Sequence, residues 1–429
     1  MPLLNKPRTA APRNHGDDFA PRSLTRLRIA LTLFFALDGF LFAGWVVRIP
    51  AIKEQTGASA STLGLALLGV SAGAVVTMTL TGRLCERFGT RPMTMVAGAL
   101  LSLSIALPAQ THSALSLGLV LLLFGAAYGG INVAMNSAAV ELVAVLRRPV
   151  MPSFHAAFSL GGMVGAGLGG LVAAGLSPAL HLFALAAIGL LVTAVAGSML
   201  LRHRLPTPPA DAATATTTRT PPSTSGRAAR DSGHTRRLVL LFGVIALCTA
   251  YGEGALADWG ALHLEQDLHA HPGIAAAGYS LFALTMTVGR LTGTTLLERL
   301  GQTKVLAAGG ATAAAGMLIG ALAPTAWLAL AGFAITGLGL ANIFPVAVGR
   351  AGALAGPSGV ATASTLGYGG MLLGPPVIGF LADWFSLPVA LTTVAALAAT
   401  AGVIGISARR SAPANPASPE DRWKRPAVT

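Results

Sequence analysis

Twelve apolar runs, each close to twenty residues long, dominate this sequence. An α-helix rises about 1.5 Å per residue, so about twenty apolar residues cross the ~30 Å hydrocarbon core of a bilayer. The runs therefore predict an all-α membrane protein with twelve transmembrane helices, which we number helix 1 to helix 12 in chain order. Their approximate bounds are 27–49, 60–81, 92–109, 114–140, 151–174, 179–201, 237–260, 273–297, 303–323, 326–349, 357–382 and 387–408.

The composition agrees with a membrane protein. Only 10% of the residues are charged and 53% are hydrophobic, whereas a soluble domain carries about 25% charged residues. The net charge of +13 would suit a nucleic-acid binder only if the basic residues clustered on one soluble face. Here they lie in tails and in loops between apolar runs, so we expect the lipid bilayer, and no nucleic acid, as partner.

Polar segments divide the chain. Residues 1–26 lack the apolar core and cleavage site of a signal peptide and predict a cytoplasmic N-terminal tail, and residues 409–429 predict a C-terminal one. Residues 202–236 are rich in Thr, Pro, Ser and Arg, and they predict a disordered cytoplasmic linker because they contain too little apolar surface to fold. This linker separates a six-helix half at 27–201 from a second half at 237–408.

The distribution of Lys and Arg predicts the orientation in the membrane. With both termini inside, every one of the 29 basic residues except Arg48 and Lys53 lies in or beside a cytoplasmic segment. Cytoplasmic loops of membrane proteins carry such an excess of basic residues. The sequence therefore predicts a multi-pass protein of the plasma (inner) membrane with both termini in the cytoplasm.

A short charged segment, Gly82–Arg91, connects the predicted helices 2 and 3. Its charges suit a hairpin at the cytoplasmic surface, in which Glu86 pairs with an arginine while Gly82 and Gly89 turn the backbone. The segment resembles the loop G-x-L-x-D-R-x-G-x-[RK] of the major facilitator superfamily, with Glu86 in place of the usual Asp. The matching positions are Gly82, Leu84, Arg87, Gly89 and Arg91.

Internal repetition supports this resemblance. Four short patterns of the first half recur in the same order 206 to 215 residues later. They pair Asp38-Gly39 with Glu253-Gly254, Glu86-Arg87 with Glu298-Arg299, Gly129 and Asn132 with Gly339 and Asn342, and Ser159-Leu160-Gly161 with Thr365-Leu366-Gly367. Duplicated halves are common in transporters. The resemblance covers nearly the whole chain outside the tails and linker, and it implies two pseudo-symmetric six-helix halves in the MFS fold.

Three further motifs narrow the resemblance. They are Leu37-Asp38-Gly39-Phe40 with Trp45, the run Glu253–Trp259, and Gly367-Tyr368 followed by Gly374-Pro375-Pro376. Together they resemble a bacterial permease subgroup that is distantly similar to the fucose permease branch. This resemblance implies secondary active transport by alternating access, with protons as coupling ion and a sugar-like or other small polar solute as substrate. The alternatives are a proton-driven multidrug or metabolite exporter and a transporter-like solute sensor.

Two acidic residues within the predicted membrane helices are candidates for proton coupling. Asp38 lies roughly 15 Å into helix 1, near the midplane, where desolvation disfavours a charged carboxylate, as a proton carrier requires. A permanent structural pair with an arginine is the alternative. Glu253 in helix 7 is flanked by Gly252 and Gly254, which predict a loosened helix. Its alternative role is to pair with a basic group on another helix.

A polar stripe on helix 4 predicts the substrate cavity. Tyr128, Asn132 and Asn136 recur every four residues and therefore share one helix face. Their amide and phenol groups can hydrogen-bond a polar solute, and contacts between helices are the alternative. The cavity is expected mainly between helices 1, 4, 7 and 10. Its predicted lining residues are Trp45, Tyr128, Asn132, Asn136, Asn342 and Tyr368.

Other polar residues in or near the helices have less specific patterns. We interpret Arg290 as part of the cytoplasmic gate, with a cavity cation as the alternative. Arg48 is interpreted as an interfacial residue, with substrate binding as the alternative, and His155 as a histidine of the cytoplasmic surface. The predicted gating residues are Gly82, Glu86, Arg87, Gly89, Arg91, Arg290, Glu298 and Arg299.

The sequence contains no enzyme motif. There is no phosphate-binding Gly-x-x-x-x-Gly-Lys-Ser/Thr loop, no His/Cys cluster with metal-ligand spacing, and no clustered nucleophile and base. We therefore expect neither an enzyme nor a bound cofactor or metal. The expected partner is a small-molecule substrate, and the expected oligomeric state is a monomer.

Overall fold

The computed structural model describes residues 19–58, 60–172, 175–202 and 225–411. Within these ranges the regular secondary structure is entirely helical. Helices 1 to 6 are Phe19–Val46, Ala60–Phe88, Thr90–Ser104, Ala114–Leu146, Met151–Val172 and Pro178–Arg202. Helices 7 to 9 are Ser225–Leu262, Pro272–Leu300 and Gln302–Leu322, and helix 12 is Leu387–Ser411. Helices 10 and 11 together occupy the segments Ala326–Leu340 and Ile343–Trp384; helix 10 continues into the second segment, and helix 11 begins there after the kink at Ala355 and Gly356.

These helices account for twelve membrane crossings. Ten segments in the described part of the chain are long and apolar enough to cross a membrane. One of them, the 59-residue Ala326–Trp384, contains two crossings, because the backbone leaves helical geometry at Ala355 and Gly356, where helix 10 ends and helix 11 begins. Helix 8, with 29 residues, is a further crossing. The prediction of an all-α protein with twelve transmembrane helices is therefore confirmed.

The two halves repeat one packing pattern. Helix 1 packs against helix 5, helix 2 against helix 4 and helix 3 against helix 6, while helices 7 and 11, 8 and 10, and 9 and 12 form the corresponding pairs. Small residues permit these close approaches. A side chain at Gly161 would collide with the backbone of Ala36, and one at Gly370 with the backbone of Leu247. The predicted pseudo-symmetric halves are confirmed.

Several predicted boundaries differ from the structure. Helix 7 begins at Ser225, so residues 225–236 are helical rather than part of a disordered linker. This segment lacks Pro and contains Ala and Arg, which favour helix. The rest of the predicted linker up to residue 224, and most of both tails, lie outside the described residues. An eight-residue helix, Ile49–Thr56, follows helix 1, and it was missed because it is too short to show a periodic pattern.

Gly82–Arg91 is not the loop that its composition predicts. Helix 2 continues to Phe88 and helix 3 begins at Thr90, which leaves Gly89 as the single connecting residue. Gly89 makes this turn with a φ of 90°, in the region that favours glycine. Gly82 is helical, so its predicted turning role is wrong. Instead, a Cβ at Gly82 would lie 2.9 Å from the Ala361 Cβ in helix 11, because helices 2 and 11 approach closely there.

The two halves contact each other closely at the Arg-rich end, the end of the bundle that carries Arg87, Arg148 and Arg299. Helix 2 meets helix 11 at Gly82, and helix 5 meets helix 8, where a Cβ at Gly293 would lie 2.7 Å from the Pro152 Cβ. The structure is therefore closed between the halves at this end.

Candidate functional site

Asp38 is buried without a hydrogen-bond partner. Its exposed fraction is 0%, and within the described part of the chain neither carboxylate oxygen has a partner. The expected alternative, a structural pair with an arginine, is not present in this conformation. Burying an ionised carboxylate without compensation is costly. Asp38 is therefore a position where proton uptake or release would strongly change the energy of the bundle.

Two tyrosines from opposite halves meet beside Asp38. The rings of Tyr128 in helix 4 and Tyr368 in helix 11 pack edge to face with centroids 6.0 Å apart. Both phenols lie within electrostatic range of the Asp38 carboxylate. Phe42, one turn after Asp38, stacks on Tyr128 at 4.9 Å. Trp45 is buried, and its ring centroid lies 6.3 Å from that of Phe124, which in turn stacks on Tyr128.

The predicted asparagines are buried with unused acceptor oxygens. Asn136 donates through Nδ2 to the backbone carbonyl of Asn132 at 2.8 Å, and Asn342 donates to the carbonyl of Gly289 at 2.9 Å. The Oδ1 atoms of Asn132, Asn136 and Asn342 have no partner among the described residues. Contacts within helix 4 and between helices 8 and 10 thus use only part of the hydrogen-bonding capacity of these side chains. The remaining carbonyl oxygens can accept hydrogen bonds from a solute.

Arg290 links the two halves near the centre of the bundle. It donates through Nη1 to Ser159 Oγ of helix 5 at 2.8 Å and through Nη2 to Glu253 Oε1 of helix 7 at 3.2 Å. Its Nε donates to the carbonyl oxygen of Ala341 at 3.3 Å. The structure therefore places Arg290 with the predicted proton-coupling residue Glu253, and not with the gating residues of the Arg-rich end.

Glu253 lies in a continuous helix and not in a loosened one. Helix 7 remains helical through Gly252 and Gly254, and the predicted unwinding occurs instead in helix 10, between Leu340 and Ile343. This break makes the Ala341 carbonyl available to Arg290. Glu253 is paired with a basic group, as the alternative interpretation expected, and 29% of its side chain is still exposed.

His155 and Arg48 were expected at the protein surface, but both are buried. His155 is 7% exposed and does not lie at the surface; its ring packs against Phe35 and Phe344, one from each half. Arg48 is 2% exposed, and its Nε donates to His181 Nδ1 at 2.7 Å. Arg48 is therefore not exposed at the interface, and it connects helices of the N-terminal half.

The Arg-rich end contains one ion pair between the halves that the sequence pattern missed. Arg148 donates through Nε to Glu298 Oε1 at 2.8 Å, and this hydrogen bond raises the pKa of the Arg148 guanidinium. Arg148 appeared in the sequence only as one more basic loop residue.

For the other predicted gating residues, the interactions described below lie within one half or the side chain is exposed. Arg91 lies within electrostatic range of Glu141, which also accepts a hydrogen bond from Thr90 at 3.0 Å. Arg87 lies over the ring of Phe88. Glu86 and Arg299 are exposed, and the ion pairs found in the described ranges do not include Glu86. The predicted pair of Glu86 with an arginine is therefore not formed in this conformation.

The close approach at Gly82 leads to a testable prediction. Leucine at this position would overpack the contact between helices 2 and 11, at a cost of about 1–3 kcal/mol to the closed arrangement. Since 1.4 kcal/mol corresponds to a factor of ten, we expect solute counterflow in vesicles to slow by about tenfold or more. Gly167→Leu in helix 5 is the control, because a Cβ there meets no atom within 4 Å. Equal counterflow by the two variants would contradict the prediction.

Comparison with known proteins agrees with this architecture. A family model described as Major Facilitator Superfamily matches residues 29–257 and 242–429. An MFS-type transporter of Yersinia pestis is 33% identical over 381 residues, which cover 87% of this chain and 93% of the relative. The membrane protein MosC of Rhizobium meliloti is 28% identical over 86% of each chain.

Solved structures share the fold. FucP of Escherichia coli in its outward conformation matches with a TM-score of 0.71 and 18% identity, covering 90% of this chain and 98% of FucP. The human organic anion transporter MFSD10 matches with a TM-score of 0.68 and 18% identity, covering 89% and 99%. The family match spans both halves, and the twelve-helix fold agrees with it. This chain therefore belongs to the Major Facilitator Superfamily and is a multi-pass membrane transporter, not an enzyme.

Proposed function

We propose that this protein is a proton-coupled secondary transporter that moves a small polar, sugar-like solute by alternating access. The observation that carries the proposal is Asp38, a fully buried carboxyl group without a partner among the described residues, beside the aromatic contact between the halves. A fucose:proton symporter of Escherichia coli shares the fold. Asp38 is the proposed proton carrier, and Glu253, paired with Arg290, is a second candidate.

The proposed substrate site lies between the halves at the level of Tyr128 and Tyr368. Asn132 and Asn342 supply acceptor oxygens from the two halves. The close contacts at the Arg-rich end belong to an outward-facing state if that end is cytoplasmic. Release of the Arg148–Glu298 pair and separation of helices 2 and 11 would then accompany opening to the cytoplasm.

The orientation has its own test. Single cysteines at Ser113 and Asp267 should react with a membrane-impermeant thiol reagent added to sealed cells, because these positions lie at the end opposite the Arg-rich end. Cysteines at Thr90, Ser225 and Ser411 should react only after the cells are made permeable. Modification of a cysteine at Ser225 in sealed cells would contradict the proposed cytoplasmic termini.

The transport proposal is tested by solute uptake into proteoliposomes with and without a pH gradient. We expect accumulation when the outside is more acidic and no accumulation when an ionophore collapses the gradient. Proton-driven movement of the solute in the opposite direction, from the vesicle lumen into the more acidic outside solution, would favour the exporter alternative. Saturable binding without any transport would favour the sensor.

A further inference from the structure

The ionisable side chains around the proposed substrate site are mainly acids. Three of the four tyrosines in the chain, Tyr128, Tyr279 and Tyr368, lie in this region. The charged groups within electrostatic range of their phenols are the acids Asp38, Glu253 and Asp258 and one base, Arg290. Glu253 lies within electrostatic range of all three phenols, so the aromatic and acidic groups are neighbours.

The hydrogen-bonding capacity of the site is also one-sided. Its unpartnered buried atoms include both Asp38 oxygens and the Oδ1 atoms of Asn132 and Asn342, all of which accept hydrogen bonds. Each of these side chains is less than 10% exposed. The amide nitrogen of Asn342 already donates to the backbone carbonyl of Gly289, which leaves its Oδ1 as the acceptor, and this oxygen packs against Gly293 of helix 8. A ligand that satisfies these oxygens must supply donors.

Arg290 is poorly placed to bind an anion. Three of its five N–H groups already donate hydrogen bonds, to Ala341, Ser159 and Glu253. An anionic solute would compete with Glu253, whose carboxylate lies 3.2 Å from Arg290 Nη2 and already neutralises the guanidinium. The acids Asp38 and Asp258 have no comparable base in the group. When either acid is ionised, the site has a net negative charge, which favours a cation.

From this geometry we infer that the transported solute is a small polar organic cation that carries a protonated amine. The inference rests on the proposed function and specifies the substrate class of the same site. An ammonium group supplies hydrogen-bond donors for the free oxygens, compensates an ionised Asp38 or Asp258, and is attracted to the faces of tyrosine rings. Glu253 and Tyr279 are 29% and 45% exposed, so the protein does not enclose them completely.

The cation preference can be measured without knowing the solute. In a background with Cys85→Ala and Cys248→Ala, which removes two buried thiols, Tyr279→Cys introduces a reporter thiol within the site. Its modification rate is measured in detergent with two methanethiosulfonates, the cationic trimethylammonium-ethyl reagent and the anionic sulfonatoethyl reagent. The ratio of the cationic to the anionic rate is then divided by the same ratio measured for free 2-mercaptoethanol. We expect the cationic reagent to be favoured by about tenfold or more, because a cleft of one sign raises encounter rates with opposite charges.

Matched variants distinguish this effect from general surface charge. Ser113→Cys, in an exposed loop, should give a normalised ratio near unity. Glu253→Gln combined with Asp258→Asn should lower the Tyr279→Cys ratio toward the same value. Tyr368→Cys provides a second reporter position if Tyr279→Cys does not fold.

A ratio at the reporter position no higher than at Ser113→Cys would overturn the inference. Accumulation of glucuronate but not of glucosamine in the vesicle assay would also overturn it. A high ratio without proton-driven uptake would instead leave the cation site standing and contradict the proposed proton coupling. The two proposals therefore fail in distinguishable ways.

Discussion

Asp38→Asn is expected to abolish accumulation of solute against its gradient while solute counterflow continues. The amide resembles the protonated acid in shape and hydrogen bonding but does not exchange a proton. Within the described residues the Asp38 oxygens have no partner, so the substitution should leave no buried cation unpaired. The protein should therefore fold and insert normally. Proton-driven uptake and counterflow are measured in the same vesicles.

A second membrane carboxyl provides the matched control. Glu141 of helix 4 lies near the Arg-rich end, where it accepts a hydrogen bond from Thr90. Glu141→Gln should retain both activities, because this residue lies away from the Asp38 site. If Asp38→Asn loses both activities and folds poorly, Asp38 has a structural role. If it retains both, Asp38 has no part in proton coupling.

The fold was predictable because the feature that indicates it most strongly, the length of each apolar run, can be read from a short stretch of sequence. Apolar runs near twenty residues long report directly on the thickness of the bilayer, and the repeated patterns at Asp38 and Glu253 report the duplication of the halves. Boundaries were less accurate where the backbone changes direction within an apolar run. The break between Leu340 and Ile343 occurs inside such a run, so hydropathy gives no sign of it.

The site was predictable residue by residue but not contact by contact. Buried polar residues in membrane helices are costly, which identifies Asp38, Asn132 and Glu253 as candidates. Their partners depend on how helices distant in sequence pack together. Arg290 contacts Ser159, which is 131 residues away, and no periodicity links the two positions. The composition of Gly82–Arg91 likewise indicated a loop, because it gave no sign that helix 11 packs there. In the structure Gly82 is helical and allows helix 2 to approach helix 11 closely.

Removal of the Arg290 guanidinium is expected to destabilise the protein and stop transport. Arg290→Met would leave the Glu253 carboxylate unpaired and remove the contact with Ser159 of the other half. Breaking a buried ion pair by removing one partner costs about 3–5 kcal/mol. We expect a loss near the low end, about 3 kcal/mol, because Glu253 keeps 29% exposure to water. The loss is measured by unfolding of the purified protein in detergent.

The exposed ion pair at the Arg-rich end is the control for this prediction. The side chains of Arg148 and Glu298 are 58% and 33% exposed, so Arg148→Gln should cost no more than about 1 kcal/mol. A double variant, Arg290→Met with Glu253→Gln, leaves no unpaired carboxylate and should recover most of the lost stability, yet it should remain inactive if the bridge to Ser159 is required for transport. An Arg290→Met protein as stable as Arg148→Gln would mean that water or another group compensates Glu253, and the Arg290–Glu253 ion pair would then contribute little to the stability of the protein.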